Sequence, residues 1–189
     1  MAKKPLNQKQ VKTLRVITQH NPLHSLLLNL SVDLMLRSSD LLKLKVGDVL
    51  TESGTVKDTV TIRQQKTGKT TIEMPLSDNS KRCVIQHLLG ESPEDFIFAG
   101  QKSHYTRKPI STQQYARIIK GWMRELEVED VGCYSTHSMR KTKASVLFQK
   151  YRNVEAVRRL LGHRSVVATS AYLGVEDADA TELARSTEI

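Results

Sequence analysis

Apolar residues recur along this chain with two different periods. Across residues 7–20, Val11, Leu14 and Ile17 return every third residue, which predicts a short amphipathic helix closed by Asn21-Pro22. Residues 23–36 are apolar on nearly all sides and predict a central buried helix. His24, Ser25, Asn29, Ser31 and Asp33 make that stretch too polar, and its length too short, to span a bilayer. Ser38-Ser39 offers an N-cap for one more helical turn through Asp40, Leu41, Leu42 and Leu44. The period then changes. Residues 46–49, 56–64 and 70–75 are β-rich runs separated by Glu52-Ser53-Gly54 and Thr67-Gly68, which predicts a small three-stranded antiparallel sheet. Thr67-Gly68 is the expected hairpin tip, flanked by Lys66 and Lys69.

Helical spacing resumes after the sheet. Ser77 or Asp78 can cap a helix through Cys83, Ile85, Leu88 and Leu89, stopped by Gly90. Ser111 opens an amphipathic helix in which Tyr115, Ile118, Ile119, Trp122, Met123 and Leu126 fall at i, i+3, i+4, i+7, i+8 and i+11. Residues 135–150, residues 153–161 with Gly162 as the stop, and residues 165–173 give three further helices. No repeat or long linker divides the chain, so the expected fold class is α+β, mostly helical. The expected organisation is one domain over residues 1–174, followed by an acidic tail over 175–189.

Composition adds a polarity to this layout. The 189 residues carry 29 Lys and Arg against 20 Asp and Glu, a formal net charge of +9, with 39% apolar content to fill a core. Residues 1–100 hold 14 basic and 10 acidic side chains, residues 101–172 hold 14 and 5, and residues 173–189 hold 1 and 5. The excess therefore sits in the second half of the folded region, which points to a polyanionic partner and to nucleic acid first. Residues 1–12 are basic and polar, without the apolar core of a secretory signal. Cys83 and Cys133 are too few for a disulfide framework or a structural zinc site. The expected compartment is the cytoplasm.

The chemistry concentrates in Thr136-His137-Ser138-Met139-Arg140-Lys141-Thr142-Lys143. His137 and Arg140, three residues apart at a helix start, share a face and can converge on one anion. Downstream, Leu160-Leu161-Gly162-His163 sets a histidine just past a glycine-stopped helix, and Tyr172 follows nine residues later. Upstream, Arg37 stands where the buried helix ends, with Asp40 three residues on, and Lys66 sits at the hairpin. Arg37 directly follows an apolar run and is costly to bury without an anionic partner. His20 and His24 are separated by Pro22 and lack a third ligand, and Lys66-Thr67-Gly68-Lys69 lacks the upstream glycine of a phosphate-binding loop. Neither a metal nor another cofactor is expected.

The ordered set Arg37, Lys66, His137, Arg140, His163 and Tyr172 resembles the signature of the tyrosine recombinase (phage integrase) family, in its catalytic domain. The resemblance implies that Tyr172 is a nucleophile forming a 3′-phosphotyrosine with DNA, that Arg37 and Arg140 neutralise the phosphate, and that His137 accepts a proton. It implies further that Lys66 protonates the leaving 5′ oxygen, that His163 donates a hydrogen bond to the phosphate, and that Asp40 orients the arginines or histidine. Lys69, Lys141, Lys143 and Arg164 are the accompanying candidates for contact with DNA. Family members commonly have glycine where this chain has Met35, and histidine where it has Lys141. Only 36 residues precede Arg37, so no separate N-terminal core-binding domain is expected. Expected partners are double-stranded DNA and further copies of the chain, four on two sites, with the acidic tail touching a neighbour. A DNA-binding regulator with the same fold but no strand cleavage is the alternative, and topoisomerase-like relaxation by the same chemistry is a third reading.

Overall fold

A computed structural model describes residues 3–100, 108–175, 181, 182 and 184–187. Residues 176–180, 183, 188 and 189 of the acidic segment lie outside the described residues. Helix α1 (Gln8–Thr18) opens with a reciprocal cap in which the Asn7 side chain accepts from the Gln10 amide at 2.8 Å and the Gln10 side chain accepts from the Asn7 amide at 2.9 Å. Helix α2 (Pro22–Leu34) starts on an Asn21 cap with Pro22 in its first turn, and Leu26, Leu27, Leu28 and Leu30 are all buried. It is the central element, packed by α1, by α5 (Asp78–Leu88) and by α7 (Thr136–Tyr151). This is the buried helix that the all-round apolar run predicts.

Helix α2 ends on Met35, whose φ of 46° and ψ of 31° place it in the left-handed region. That turn sends Arg37 toward the hairpin. Arg37, and not Ser38, occupies the cap position of the short α3 (Ser38–Leu41), and it makes no cap hydrogen bond because a guanidinium has no acceptor; its donors go to Gln64 instead.

Among the described residues the sheet has two strands rather than three. Residues 46–49 form a helical turn, α4 (Val46–Val49), in place of the expected strand. The Asp48 carboxylate accepts the Lys45 amide at 2.8 Å, while the Val46 and Gly47 amides donate to the Asp95 and Pro93 carbonyls. Those tertiary bonds override the β preference of two valines. Strand β1 (Thr59–Val60) pairs antiparallel with β2 (Met74–Pro75), in the register Thr59 with Pro75 and Val60 with Met74. Beyond that pair the Thr71 hydroxyl accepts the Ile62 amide, so pairing is irregular until Arg63 meets Thr70. The tip falls at Thr67-Gly68 as the sequence predicts, with Gly68 at φ 65° and its amide on the Gln64 carbonyl at 2.8 Å.

The remaining elements follow their caps. Helix α6 (Thr112–Glu125) begins on Ser111 and buries Tyr115, Ile118, Ile119, Trp122 and Met123. A 3₁₀ turn (Val131–Cys133) leads into α7, which is capped by Ser135. Asn153 caps α8 (Val154–Leu161), left-handed Gly162 stops it, and Ser165 opens α9 (Val166–Leu173). Among the described residues no helix is long and apolar enough to cross a membrane.

Candidate active site

Five separate segments deliver the site. Arg37 comes from the α2–α3 turn, Lys66 from the hairpin, Arg140 from the first turns of α7, and His163 and Tyr172 from the α8–α9 turn and α9. Arg140 is 4% exposed, and its fork donates to the carbonyls of Met35 at 2.7 Å and of Leu161. One guanidinium therefore ties the end of α2 to the end of α8. Burial, reinforced by the charge of Arg37, lowers its pKa to about 10, so it remains a cation at neutral pH.

Arg37 is half-buried, and its Nη1 donates to Gln64 Oε1 at 2.9 Å. With Lys66, Thr67, His163 and Arg164 it lines an open cleft of about 370 Å³. His163 is also half-buried, and its ring meets the Tyr172 ring edge-on with centroids 5.1 Å apart. Burial and the charges of Arg140 and Arg37 push its pKa down to about 4, so it is neutral at pH 7. Its main chain is fixed separately. Arg158 donates Nη1 to the His163 carbonyl at 2.7 Å, while its other nitrogens grip the Glu155 carboxylate at 2.6 and 2.7 Å.

The Tyr172 hydroxyl donates to the main-chain carbonyl of His137 at 3.4 Å. Burial raises the Tyr172 pKa above the ordinary phenol value, although the charge of Arg140, a hydrogen bond from it and the charge of Arg37 pull the other way. The group is therefore a neutral phenol at pH 7, held beside two cations that favour its ionised form. The imidazole of His137 is exposed to solvent at the helix start. Lys141 places Nζ 5.6 Å from the centre of the Tyr172 ring, and burial lowers its pKa.

Asp40 is buried, and its Oδ1 accepts the Gln65 amide at 2.9 Å, which ties α3 to the hairpin one residue before Lys66. Its Oδ2 is buried without a partner among the described residues. Two of the expected contact residues lie apart from the cleft. Lys143 turns to Asp33 at 3.1 Å, one step along α7 from Arg140, and Lys69 is exposed on the returning arm of the hairpin. Arg164 is exposed at the cleft rim.

Gln64 is a site residue that spacing does not reveal. It is 4% exposed, its Oε1 accepts from both Arg37 and the Thr67 hydroxyl, and its amide donates to the Lys69 carbonyl at 2.8 Å. It thereby registers the lysine hairpin against Arg37. Gly162, at φ 64°, closes over it, and a Cβ on Gly162 would lie 2.9 Å from Gln64 Nε2. The one legible signal is the glycine, which the helix stop alone already explains.

The family model described as "Phage integrase family" matches residues 4–179. "Probable integrase/recombinase YoeC" of Bacillus subtilis (strain 168) is 31% identical over 149 residues, covering 79% of this chain and 75% of that protein. A "Tyrosine recombinase" of Pseudothermotoga lettingae is 28% identical over 172 residues, 90% of this chain but 56% of that protein. Among solved structures, the XerA recombinase superposes with a TM-score of 0.75 at 17% identity, over 98% of this chain and 65% of its own. XerH bound to its palindromic difH substrate, a post-cleavage complex, gives 0.68 at 19%, over 97% of this chain and 53% of its own. The chain thus spans between about half and three quarters of these relatives.

Proposed function

This chain belongs to the phage integrase family, and from that premise we propose that it is the catalytic domain of a site-specific recombinase that cuts and rejoins DNA through Tyr172. The observation that carries the reading is that Arg37, His163 and the hairpin's Lys66 line one cleft, with the Tyr172 ring edge-on to His163 and the buried Arg140 acting on both.

The chemistry balances without a cofactor. The Tyr172 oxygen attacks the scissile phosphorus, an O–P bond forms, and the bond from phosphorus to the 5′ oxygen breaks. The phenol proton passes to His137 and the leaving 5′ oxygen takes a proton from Lys66. Negative charge that builds on the non-bridging oxygens is met by Arg37 and Arg140, whose positions are fixed beforehand by Gln64 and by the Met35 and Leu161 carbonyls. Because Tyr172 is a neutral phenol in the free protein, attack needs both the base and the two cations. The reverse steps religate, so no water or nucleotide is consumed. Arg164, Lys69 and Lys141 supply contacts along the DNA, and binding weakens steeply with salt through counterion release. Four copies act together on two DNA sites, with the segment after Tyr172 reaching a neighbour.

The test is covalent capture. Incubation with a pool of nicked duplexes of randomised core sequence should yield a protein–DNA adduct with the wild type and none with Tyr172→Phe. DNA binding without an adduct would favour a regulator with this fold, and an adduct that persists in Tyr172→Phe would displace Tyr172 as nucleophile.

A further inference from the structure

The His163 ring has a second partner besides Tyr172. Its Nδ1 lies 3.2 Å from the Thr169 hydroxyl. Thr169 is fully buried in the first turn of α9, and that same hydroxyl lies 2.9 Å from the Ser165 carbonyl, one helical turn back. A threonine hydroxyl has one proton and can also accept. The shorter, helix-internal bond to Ser165 takes the proton, as threonines within helices commonly arrange. Toward His163 the hydroxyl oxygen can then only accept, so Nδ1 must carry the imidazole proton. The neutral ring is left with a bare lone pair on Nε2.

An Nε2 lone pair repels an anion oxygen. For the ring to donate to a phosphate while keeping its bond to Thr169, both nitrogens must be protonated, and the imidazole must become a cation. The groups facing it act against that in the free protein. Arg37 and Arg140 both raise the cost of charging it, and Lys66 and Arg164 line the same cleft. Arg158, which holds the His163 carbonyl, is already paired to Glu155, and Tyr172 presents a ring edge. Asp40 is the buried carboxylate of the neighbourhood and is engaged by Gln65. A tetrahedral dianion between the arginines would reverse this balance, because it offsets their charge and offers an acceptor to Nε2.

We propose that Thr169 is a positioning residue that fixes His163 in its Nδ1–H tautomer, so that capture of a phosphate-type anion in the cleft lined by Arg37 and His163 takes up one proton at His163. The uptake rests on the reading of that cleft as a phosphate site; the tautomer does not. No bond between heavy atoms is made or broken. One proton moves from solvent to Nε2, and the anion oxygen accepts it in a hydrogen bond. His163 then adds its positive charge at the phosphate only when the phosphate is present, and the free site avoids adding that charge to those of Arg37, Arg140 and Lys66.

Two measurements test this on the 189-residue protein. Long-range proton–nitrogen correlations of the histidine rings, with His163→Gln assigning the signal, should show the Nδ1–H tautomer at neutral pH. Binding of inorganic sulfate, whose own charge is constant over the range, is then followed by calorimetry from about pH 5 to about pH 7, where histidines titrate. Proton uptake makes wild-type affinity fall about tenfold per pH unit while the free ring is neutral and the bound ring charged. Thr169→Val removes the acceptor, lets the neutral ring carry its proton on Nε2, and should flatten that slope. Thr169→Ser keeps the hydroxyl and should restore it, which also decides the matter if the valine variant does not fold. An Nε2–H tautomer in the wild type overturns the proposal, as does sulfate affinity that does not change with pH. Absence of sulfate binding at every pH overturns the uptake and removes the anion site beneath the proposed function, while the tautomer still reports whether Thr169 sets the ring.

Discussion

Two polar clusters flank the same pair of helices, and they are built on opposite principles. Asp33, near the end of α2, is buried at 3% exposure and fully answered: it accepts from the Ser77 amide at 2.8 Å, from the Ser80 hydroxyl at 2.5 Å and from Lys143 at 3.1 Å. Burial pushes its pKa up, but the charge of Lys143 and the bonds from Ser77 and Ser80 outweigh it and hold the carboxylate below its usual range. Two residues on, at Met35, the same helix end meets Arg140, only three residues before Lys143 on α7. Here the arrangement is like with like. Burial lowers the pKa of Arg140 and of His163, and like charge adds to it: Arg37 acts on Arg140, and both arginines act on His163. The first cluster fastens α2 to α5 and α7. The second concentrates positive charge in a cleft, at a cost in stability that makes sense where an anion is to be received.

Removing one member from each cluster separates the two roles. Asp33→Ala leaves the Lys143 ammonium and the Ser77 and Ser80 donors without their acceptor. It should lower unfolding free energy by about 3–5 kcal/mol, the range for breaking a buried ion pair from one side. Urea titration measures it, and a loss below about 1 kcal/mol, the range of an exposed pair, would mean that Asp33 is not the fastening the geometry describes. Arg37→Ala acts the other way. It relieves like-charge repulsion on Arg140 and His163, so stability should hold, while adduct formation slows by about 100- to 1000-fold, roughly 2.7–4 kcal/mol in the transition state. A variant that unfolds readily yet cleaves at the wild-type rate would dissolve the contrast.

The sequence exposes the second cluster better than the first. Arg37, Lys66, His137, Arg140, His163 and Tyr172 announce themselves by order and by the elements that carry them. The caps at Asn7, Asn21, Ser77, Ser111, Ser135, Asn153 and Ser165 mark the starts of seven helices. What stays hidden depends on partners distant in sequence. Val46–Val49 reads as a strand because its helical turn is held by carbonyls of Pro93 and Asp95. Gln64 and Thr169 are buried polar residues with no periodic signature, and each matters only through the ring or guanidinium it touches. Lys143 reads as a companion of Arg140. A three-residue step turns it about 60° around the helix, far enough to reach Asp33.

The position where the clusters meet gives the smallest and most discriminating change. Met35 carries a left-handed backbone conformation that costs a non-glycine residue about 1–2 kcal/mol. Its side chain is nonetheless 2% exposed, and burying a methionine is worth about 1.5–3 kcal/mol. Glycine, common here in the family, would relieve the strain and forfeit the packing. Since burial is the larger quantity, Met35→Gly should destabilise by about 1 kcal/mol net, the difference between those two ranges. The carbonyl that receives Arg140 belongs to the backbone and its conformation suits glycine, so the arginine stays in place and adduct formation should continue at close to the wild-type rate. Paired urea titrations and adduct time courses read both quantities. A gain in stability would mean that backbone strain outweighs packing at this turn. A slowed reaction at unchanged stability would mean that the methionine side chain, and not the carbonyl alone, holds Arg140 on the cleft.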